Sequence, residues 1–357
     1  MSLQVLYSFD HIATADLLAL PRVVSVASGG AIAASSGRDG SPCFTTTDGI
    51  GAFSTSMGLV IAINNHADVT FGAWIVIEST PAPGKPLIIF GNPDATISNS
   101  SNNQVTIVAE PDGSLKAHRS YPGVANGALL GTSPAGTITF GINASYYIEA
   151  RVVIGSSGSV VVRVNEAIVI NVTNVDTQVN SVPDISFISL GNPQSTDKTR
   201  YDDMYIATGE NTGDDWIGFK GILKIKGLLA TGAGALTQWT PSVPSGVNYQ
   251  NVDEPTPNPT DYNDATTVGL IDLYEIEDVS FDPLAIQVDL YMKKLDAGPS
   301  SVGHVLRTGG ANFISSESQT LSPDFKYYRK VYTTVPSGGA WTMASFNAIQ
   351  AGPIKAV

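Results

Sequence analysis

The sequence predicts an all-β protein that begins with an antiparallel β-sandwich, and three features of the chain support this prediction. From residue 1 to about residue 208, short apolar segments alternate with polar residues in a period of two, which is typical of half-buried strands. Gly, Asn, Asp or Pro interrupts these segments at intervals of roughly 8 to 15 residues, as the turns of an antiparallel sheet require. The 35 glycines and 21 prolines among 357 residues favour frequent turns over long helices.

The predicted strand at residues 146–154 shows most clearly the two faces expected of a sandwich sheet. One face is entirely apolar, and the other carries Tyr147, Glu149 and Arg151 and is partly polar. Short connections after this strand and at residues 165–166 predict a meander of three antiparallel strands. The other predicted elements of this region are strands at residues 71–78, 86–91, 104–109, 114–119, 159–164 and 167–172, and a short helix at residues 14–20.

The pattern changes near residue 208, where a polar, glycine-bearing stretch predicts a domain boundary. We therefore predict a β-sandwich domain over residues 1–208 and a second β-rich domain over residues 209–357. In the second domain, Pro255, Pro257 and Pro259 predict an extended surface loop, because proline cannot donate to a strand ladder. Residues 216–229 alternate like a strand. Further strands are predicted at residues 284–295, 304–308 and 327–334. A short helix is predicted at residues 341–351, near the C-terminus.

Composition and charge argue against several classes of partner. The formal net charge of -13 leaves no basic face for nucleic acid, whose phosphates must be neutralised by Lys and Arg. The apolar runs are far shorter than the ~20 residues that cross a bilayer, so we expect no membrane insertion. We see no export signal, and Cys43 is the single cysteine, which excludes an intrachain disulfide and favours synthesis in a reducing cytoplasm.

The chain shows few signs of catalytic chemistry. Its four histidines are dispersed, and we find no nucleophile elbow, phosphate-binding loop or dinucleotide fingerprint. Glu275 and Glu277 would share one strand face about 7 Å apart, a spacing that permits glycoside hydrolysis. Paired carboxylates on a solvated strand are common in acidic proteins, so we expect a surface role for both. The sequence therefore predicts a protein that is not an enzyme, with a glycosidase on a β-sandwich as the alternative.

A few residues are candidates for binding. Trp239 and Tyr249 flank loop segments and could stack on sugar rings, whereas Trp74 alternates with apolar positions and is predicted to lie in the core. The adjacent acids Asp202 and Asp203 are candidate oxygen ligands of Ca²⁺, with a turn or edge-strand role as the alternative. The same two interpretations apply to the pair at residues 214–215. No other cofactor is expected.

A set of short motifs, spread over nearly the whole chain, indicates a family. In the first region they are Phe9-Asp10-His11, Gly37-Arg38-Asp39-Gly40, the strand at residues 71–77, Asp112-Gly113-Ser114-Leu115, Tyr147-Ile148-Glu149, residues 158–165, Val175-Asp176-Thr177-Gln178 and Tyr201-Asp202-Asp203-Met204-Tyr205-Ile206. In the second they are Gln238-Trp239-Thr240-Pro241, residues 248–254, Asp272-Leu273-Tyr274 and Trp341-Thr342-Met343-Ala344. With these motifs the chain resembles the tailed-bacteriophage virion proteins that open with a concanavalin A-like (laminin G-like) domain.

The resemblance implies a concanavalin A-like jelly-roll sandwich followed by a second β-rich domain. It also implies a structural component of a phage virion, most simply a tail fibre, tip or tail decoration, with a capsid decoration or head fibre as the alternative. The expected partners are other virion proteins, further copies of the chain in an oligomer, and host-surface polysaccharide. The expected location is the virion, assembled in the host cytoplasm.

Overall fold

The chain folds into two compact units, each built almost entirely of antiparallel strands, which confirms the predicted all-β class. The computed structural model describes residues 3–26, 30–46, 58–92, 103–122, 127–191, 198–209, 218–242, 246–295 and 297–356. Unit 1 comprises Met1–Leu18 and Arg22–Ile225, and unit 2 comprises Ala19–Pro21 and Lys226–Val357.

Unit 1 contains two sheets. In chain order, its strands are β1 (Leu3–Tyr7), β2 (Val23–Val26), β3 (Gly30–Ala33), β4 (Cys43–Thr46), β5 (Leu59–His66), β6 (Asp68–Ile77), β7 (Lys85–Gly91), β8 (Asn103–Ala109), β9 (Leu115–Arg119), β10 (Ala128–Thr132), β11 (Ser145–Val153), β12 (Gly158–Val164), β13 (Ala167–Val175), β14 (Ile185–Leu190) and β15 (Thr199–Thr208). Sheet A has the order β13-β12-β11-β6-β15-β4-β3, with β1 also paired to β15. Sheet B has the order β10-β9-β8-β7-β14-β5-β2. Short 3₁₀ helices occur at Thr14–Ala19 and Arg38–Gly40.

The two sheets enclose an apolar core, as the alternating sequence pattern predicts. The Tyr201 hydroxyl of sheet A donates a 3.0 Å hydrogen bond to the Leu87 carbonyl of sheet B, so this side of sheet A faces sheet B. Tyr7, Phe9, Phe44 and Tyr201 form a chain of ring contacts with centroids 5.7, 6.1 and 6.3 Å apart. All four residues are at most 1% exposed, and each such pair adds about 0.5–1.5 kcal/mol beyond area burial.

The meander predicted from the sequence is confirmed in β11, β12 and β13. Residues Ile148 to Val153 of β11 pair with Val164 to Ser159 of β12 without a register shift. Asn165 and Glu166 form the two-residue connection between β12 and β13, and both have positive φ, 47° and 71°. Positive φ at both positions gives a turn whose twist matches that of the flanking strands.

Unit 1 ends at Ile225, past the boundary that the sequence analysis set at residue 208. Residues 218–225 alternate between apolar and polar side chains, yet they form no strand. Their backbone instead makes hydrogen bonds to side chains of sheet A and to Arg38. These contacts join the segment to unit 1.

Unit 2 has a smaller sheet, sheet C, with the order β16-β19-β25-β21-β22, and β23 also pairs with β21. Two further pairs, β17 with β18 and β20 with β24, lie outside sheet C. In chain order, the strands of unit 2 are β16 (Ala230–Thr237), β17 (Thr240–Pro241), β18 (Asn263–Asp264), β19 (Asp272–Ile276), β20 (Ile286–Met292), β21 (Ser301–Thr308), β22 (Ala311–Ile314), β23 (Gln319–Thr320), β24 (Lys326–Tyr332) and β25 (Gln350–Lys355). A 3₁₀ helix at Asn248–Asn251 opens the proline-bearing loop.

The predicted C-terminal helix is present but much shorter than expected. Helix α1 covers Met343–Phe346 only, with Thr342 as a capping residue that accepts from the Ser345 backbone N–H at 3.1 Å. Trp341, Phe346 and Ile349 lie in one apolar cluster, which explains their helix-like spacing. The chain then enters β25, because β19 and β21 offer hydrogen-bond partners on both sides. In the described part of the chain, no helix is long and apolar enough to span a membrane.

Candidate functional site

The face of sheet A that points away from sheet B carries a group of buried acidic side chains, Glu149, Asp202 and Asp203. We call it the outer face; it lies opposite the side that bears Tyr201. Tyr147 and Glu149 of β11 are paired with Trp74 and Gly72 of β6, as the predicted partly polar face requires. On the other side of β6, Tyr205 of β15 is also paired with Gly72. The side chains at these positions therefore converge at the middle of the sheet.

A β-bulge in β15 places Asp202 and Tyr205, which are three residues apart, on the same face of the sheet. Asp202 pairs with Trp74 and Tyr205 pairs with Gly72, so three steps on β15 match two on β6. Asp203 occupies the extra position with a φ of 47°, a conformation that is uncommon for non-glycine residues. Without the bulge, Asp202 and Tyr205 would lie on opposite faces, since side chains alternate along a strand.

Glu149 and Tyr205 form the central contact of the outer face. The Tyr205 hydroxyl donates to Oε1 of Glu149 at 2.5 Å. Glu149 is 1% exposed, and its Oε2 has no hydrogen-bond partner among the described residues. Burial, followed by the nearby Glu149 charge, raises the pKa of Tyr205, so the phenol is protonated at neutral pH. Gly72 makes room for the ring: a Cβ there would lie 2.2 Å from Cε1 of Tyr205.

Residues 218–225 lie across this contact, and we call them the strap. The backbone N–H groups of Lys220 and Gly221 donate to Oε1 of Glu149 at 2.9 and 3.0 Å. The Lys220 N–H also lies 3.2 Å from the Tyr205 hydroxyl. Upstream of these, the Phe219 ring packs under the Arg163 guanidinium, 4.2 Å from Cζ to the centroid.

The second half of the strap is held by Arg38 and by the bulge. Nη1 of Arg38 donates to the Leu223 carbonyl at 2.6 Å and to Oδ2 of Asp203 at 3.0 Å. The Ile225 N–H donates to Oδ1 of Asp203 at 2.7 Å. Lys224 forms an ion pair with Asp39, which is adjacent to Arg38 in the chain. Asp203 therefore connects the sheet, the loop at Arg38 and the strap.

The arrangement around Asp202 and Asp203 does not resemble a Ca²⁺ site. Asp202 accepts from the Arg38 N–H, the Ser41 hydroxyl and the Asp203 N–H, at 2.9, 2.9 and 2.8 Å. With the bonds to Asp203 described above, all four carboxylate oxygens already accept from protein donors. Among the described residues, no group of three or more His, Cys, Asp or Glu side chains is placed to hold a metal. Residues 214–215, the other predicted acidic pair, lie outside the described residues.

Burial also changes the protonation of these two acids. It raises the pKa of Asp202 to about 7, and the neighbouring Asp203 charge adds to the effect. The pKa of Asp203 is raised by burial too, while the Ile225 N–H and Arg38 act in the opposite direction. The bulge therefore places two acids in a site where negative charge is disfavoured unless it is hydrogen-bonded.

Trp74 lies on the outer face and not in the core, contrary to the sequence-based expectation. Its side chain is partly exposed, and it lies beside Tyr147 on β11 and Asp202 on β15. The sequence alternation could have predicted this position. Side chains alternate between the two faces of a strand, so Trp74 points to the same side as Gly72, whereas Ala73 and Ile75 point into the core. An aromatic ring among polar side chains is a common feature of sugar-binding surfaces.

The two residues predicted to contact glycans are in unit 2. Trp239 is only 8% exposed, and its Nε1 donates to the Leu270 carbonyl at 3.1 Å, so its ring offers little surface for stacking. Tyr249 is partly exposed, on the 3₁₀ helix that opens the loop. The two segments meet through Asn248, whose Nδ2 donates to the Trp239 carbonyl and to Oδ2 of Asp272, both at 2.8 Å. This network fixes the loop and buries the indole.

The paired glutamates, the single cysteine and one of the four histidines were also located in the structure. Glu275 is exposed in β19, and Glu277 lies beyond the end of that strand. Cys43 is buried, and burial raises the pKa of its thiol to about 12, which makes it a poor nucleophile. His304 is fully buried in β21, with Nε2 3.0 Å from the Tyr328 carbonyl.

Comparison with known proteins gives similarity at the level of solved structures only. The sequence matches no protein-family model and no curated protein. The chain is similar to the alginate lyase Aly36B, with 15% identity, a TM-score of 0.41 and coverage of 57% of this chain and 95% of that chain. It is similar to an endo-β-1,4-glucuronan lyase from the fungus Trichoderma reesei, with 13% identity, a TM-score of 0.39 and coverage of 52% and 91%. It is also similar to a conserved carbohydrate esterase from the Shiga toxin-encoding bacteriophage phi24B, with 14% identity, a TM-score of 0.36 and coverage of 52% and 90%.

These comparisons contradict one expectation from the sequence. We predicted that the protein is not an enzyme, because no catalytic motif was recognisable and a surface role was expected for the carboxylate pair Glu275 and Glu277. The similar structures include two polysaccharide lyases and a carbohydrate esterase. The prediction of a protein without enzymatic activity is therefore withdrawn.

Proposed function

We propose that this chain is a component of a tailed-bacteriophage particle and that its first unit binds polysaccharide through the outer face of sheet A. The observation that supports polysaccharide binding is the position of Trp74, a partly exposed indole between Asp202 and Tyr147. An indole stacks on the apolar face of a sugar ring, and neighbouring polar groups orient the sugar hydroxyls.

The virion part of the proposal is supported by the sequence resemblance, which extends through both units. Its most distinctive motif, residues 201–206, lies in β15, and the motif at residues 71–77 lies in β6. Both strands contribute to the outer face. We place the chain in the tail, as a fibre, tip or decoration subunit, with a capsid decoration or head fibre protein as the alternative. Repeated copies follow from the symmetry of such particles.

The polysaccharide part is tested by titrating the full chain with a panel of soluble polysaccharides. Trp74→Ala should weaken binding about three- to tenfold, the loss expected for one aromatic stacking contact. Tyr249→Ala is the matched control, because it removes a partly exposed ring from unit 2. A larger loss in Tyr249→Ala than in Trp74→Ala would place the binding site in unit 2 instead.

The virion part is tested by imaging purified phage particles with a labelled antibody against the chain. Label at the tail supports the tail assignment, and label over the capsid supports the head alternative. A chain that is abundant in infected lysate but missing from mature particles would contradict both.

A second candidate, a polysaccharide-cleaving enzyme, is favoured by the Glu149–Tyr205 contact. A carboxylate and a protonated phenol 2.5 Å apart can serve as a general base and a general acid in one step. The panel of polysaccharides should then yield new reducing ends or unsaturated products that absorb ultraviolet light. Tyr205→Phe keeps the ring but removes the acidic proton, so it should abolish turnover while binding persists. Turnover that survives this change would exclude Tyr205 from the chemistry.

A further inference from the structure

The strap occupies the part of the outer face that lies next to Trp74. It covers Glu149, which is paired across β6 with Tyr205 and is almost completely buried. The residues that a bound polysaccharide would meet beyond Trp74 are thus already in contact with the chain's own backbone.

The strap is attached in a way that permits release. The hydrogen bonds described above join it to side chains of Glu149, Asp203 and Arg38, and not to the backbone of a strand. Two of its side chains are exposed, Ile222 at 44% and Lys224, whereas Phe219, Leu223 and Ile225 are partly buried. Removing the strap therefore breaks no strand ladder of sheet A, whose pairings are complete without it.

The chemistry that holds the strap is also chemistry that holds a sugar. Oε1 of Glu149 accepts two donors from consecutive residues, Lys220 and Gly221. Two adjacent hydroxyls of a pyranose present a similar pair of donors to a carboxylate. Two nearby basic groups are paired, Arg38 with Asp203 and Lys224 with Asp39, and a third, Arg163, packs on the Phe219 ring. The formal net charge of -13 disfavours an anionic sugar.

We propose that residues 218–225 compete in cis with a neutral polysaccharide for the outer face of sheet A, so that the sugar reaches Glu149 and Tyr205 only when the strap is displaced. This inference rests on the proposed polysaccharide binding of unit 1. The apparent affinity of a ligand that must displace the strap equals its affinity for the open face multiplied by the fraction of molecules in which the face is open. Weakening the strap should therefore strengthen binding.

Phe219→Ala is the variant that tests this competition, because Phe219 anchors the strap through Arg163 and lies outside the Glu149 contact. A cation–π contact at a partly exposed site corresponds to about a two- to fivefold change in the open fraction. The affinity of the full chain for dextran, galactomannan or xyloglucan should rise by that factor, and affinity for alginate should stay low. Phe281→Ala, at a 48% exposed residue of unit 2, is the matched control and should have no effect.

Hydrogen exchange of the full chain gives a second, independent readout. When a neutral polysaccharide saturates the protein, the amides of Lys220, Gly221 and Ile225 should lose protection, because they no longer donate to Glu149 and Asp203. Equal affinity of wild type and Phe219→Ala, with these amides still protected in the complex, would overturn the competition while leaving polysaccharide binding intact. Absence of binding to every polysaccharide in both proteins would instead overturn the proposed function and, with it, this inference. A thermal unfolding midpoint of Phe219→Ala equal to that of Phe281→Ala would show that a changed affinity does not come from misfolding.

Discussion

Tyr205 and Glu149 are joined by a 2.5 Å hydrogen bond that crosses strand β6 over Gly72. The two residues lie on different strands, and each is paired in register with the same glycine. A side chain at position 72 would separate them, since its Cβ would lie 2.2 Å from the Tyr205 ring. The contact therefore depends on a residue that itself contributes no functional group.

Gly72→Ala should destabilise unit 1 by roughly 1–3 kcal/mol, because the methyl group forces the Tyr205 ring out of its position. The midpoint of urea unfolding measures the effect. Gly155→Ala is the control, since a Cβ there has no neighbour closer than 3.9 Å. Equal midpoints for the two variants would show that Tyr205 moves without cost.

Asn248→Ala should destabilise unit 2 by about 1–3 kcal/mol, because it removes a donor from the buried carboxylate of Asp272. Urea-dependent pulse proteolysis, with fragments identified by mass spectrometry, reports the unfolding of each unit separately. Gln250→Ala changes an exposed side chain on the same 3₁₀ helix and should be neutral. A stable Asn248→Ala variant would mean that the Tyr274 hydroxyl, 2.7 Å from Oδ2 of Asp272, satisfies the carboxylate by itself.

Asp202 should make unit 1 more stable as the pH falls. Its pKa in the folded protein is about 7, against 3.8 for an unperturbed side chain, so the folded state binds the additional proton. The resulting stabilisation is complete below about pH 4 and is lost as the pH rises through 7. The difference in unfolding free energy between wild type and Asp202→Asn should change by about 1 kcal/mol or more over this window. A constant difference from pH 4 to pH 8 would contradict the raised pKa.

His304 should have the opposite effect on unit 2. Burial lowers its pKa below 6.5, so the folded state resists protonation and stability falls as the pH drops below about 6.5. His304→Gln removes the titrating group and retains a donor for the Tyr328 carbonyl, so unit 2 of this variant should lose less stability between pH 7 and pH 5. The same proteolysis assay measures this, and parallel pH profiles for wild type and variant would rule out a contribution from His304.

The sequence by itself determined the alternation of faces and the short turns. In β11, every second residue is apolar, so the side that carries Tyr147 and Glu149 was predictable from a period of two. Asn165 and Glu166 were predictable as a turn because few residues separate two alternating segments. Both features depend on local backbone geometry, and neighbouring residues encode that geometry.

Only the tertiary structure decided which of these residues meet. The bulge at Asp203 shifts Tyr205 to the face that carries Glu149. A period-two pattern does not predict where a strand contains one extra residue. The apolar-polar alternation of residues 218–225 predicted a strand, but the backbone N–H groups found side-chain acceptors on sheet A instead of a strand partner. Residues 350 and 351 were predicted as helix and became part of β25, because strands β19 and β21 left an open position between them. In each case the deciding hydrogen-bond partner lies far away in the sequence, so local pattern and propensity carry no information about it.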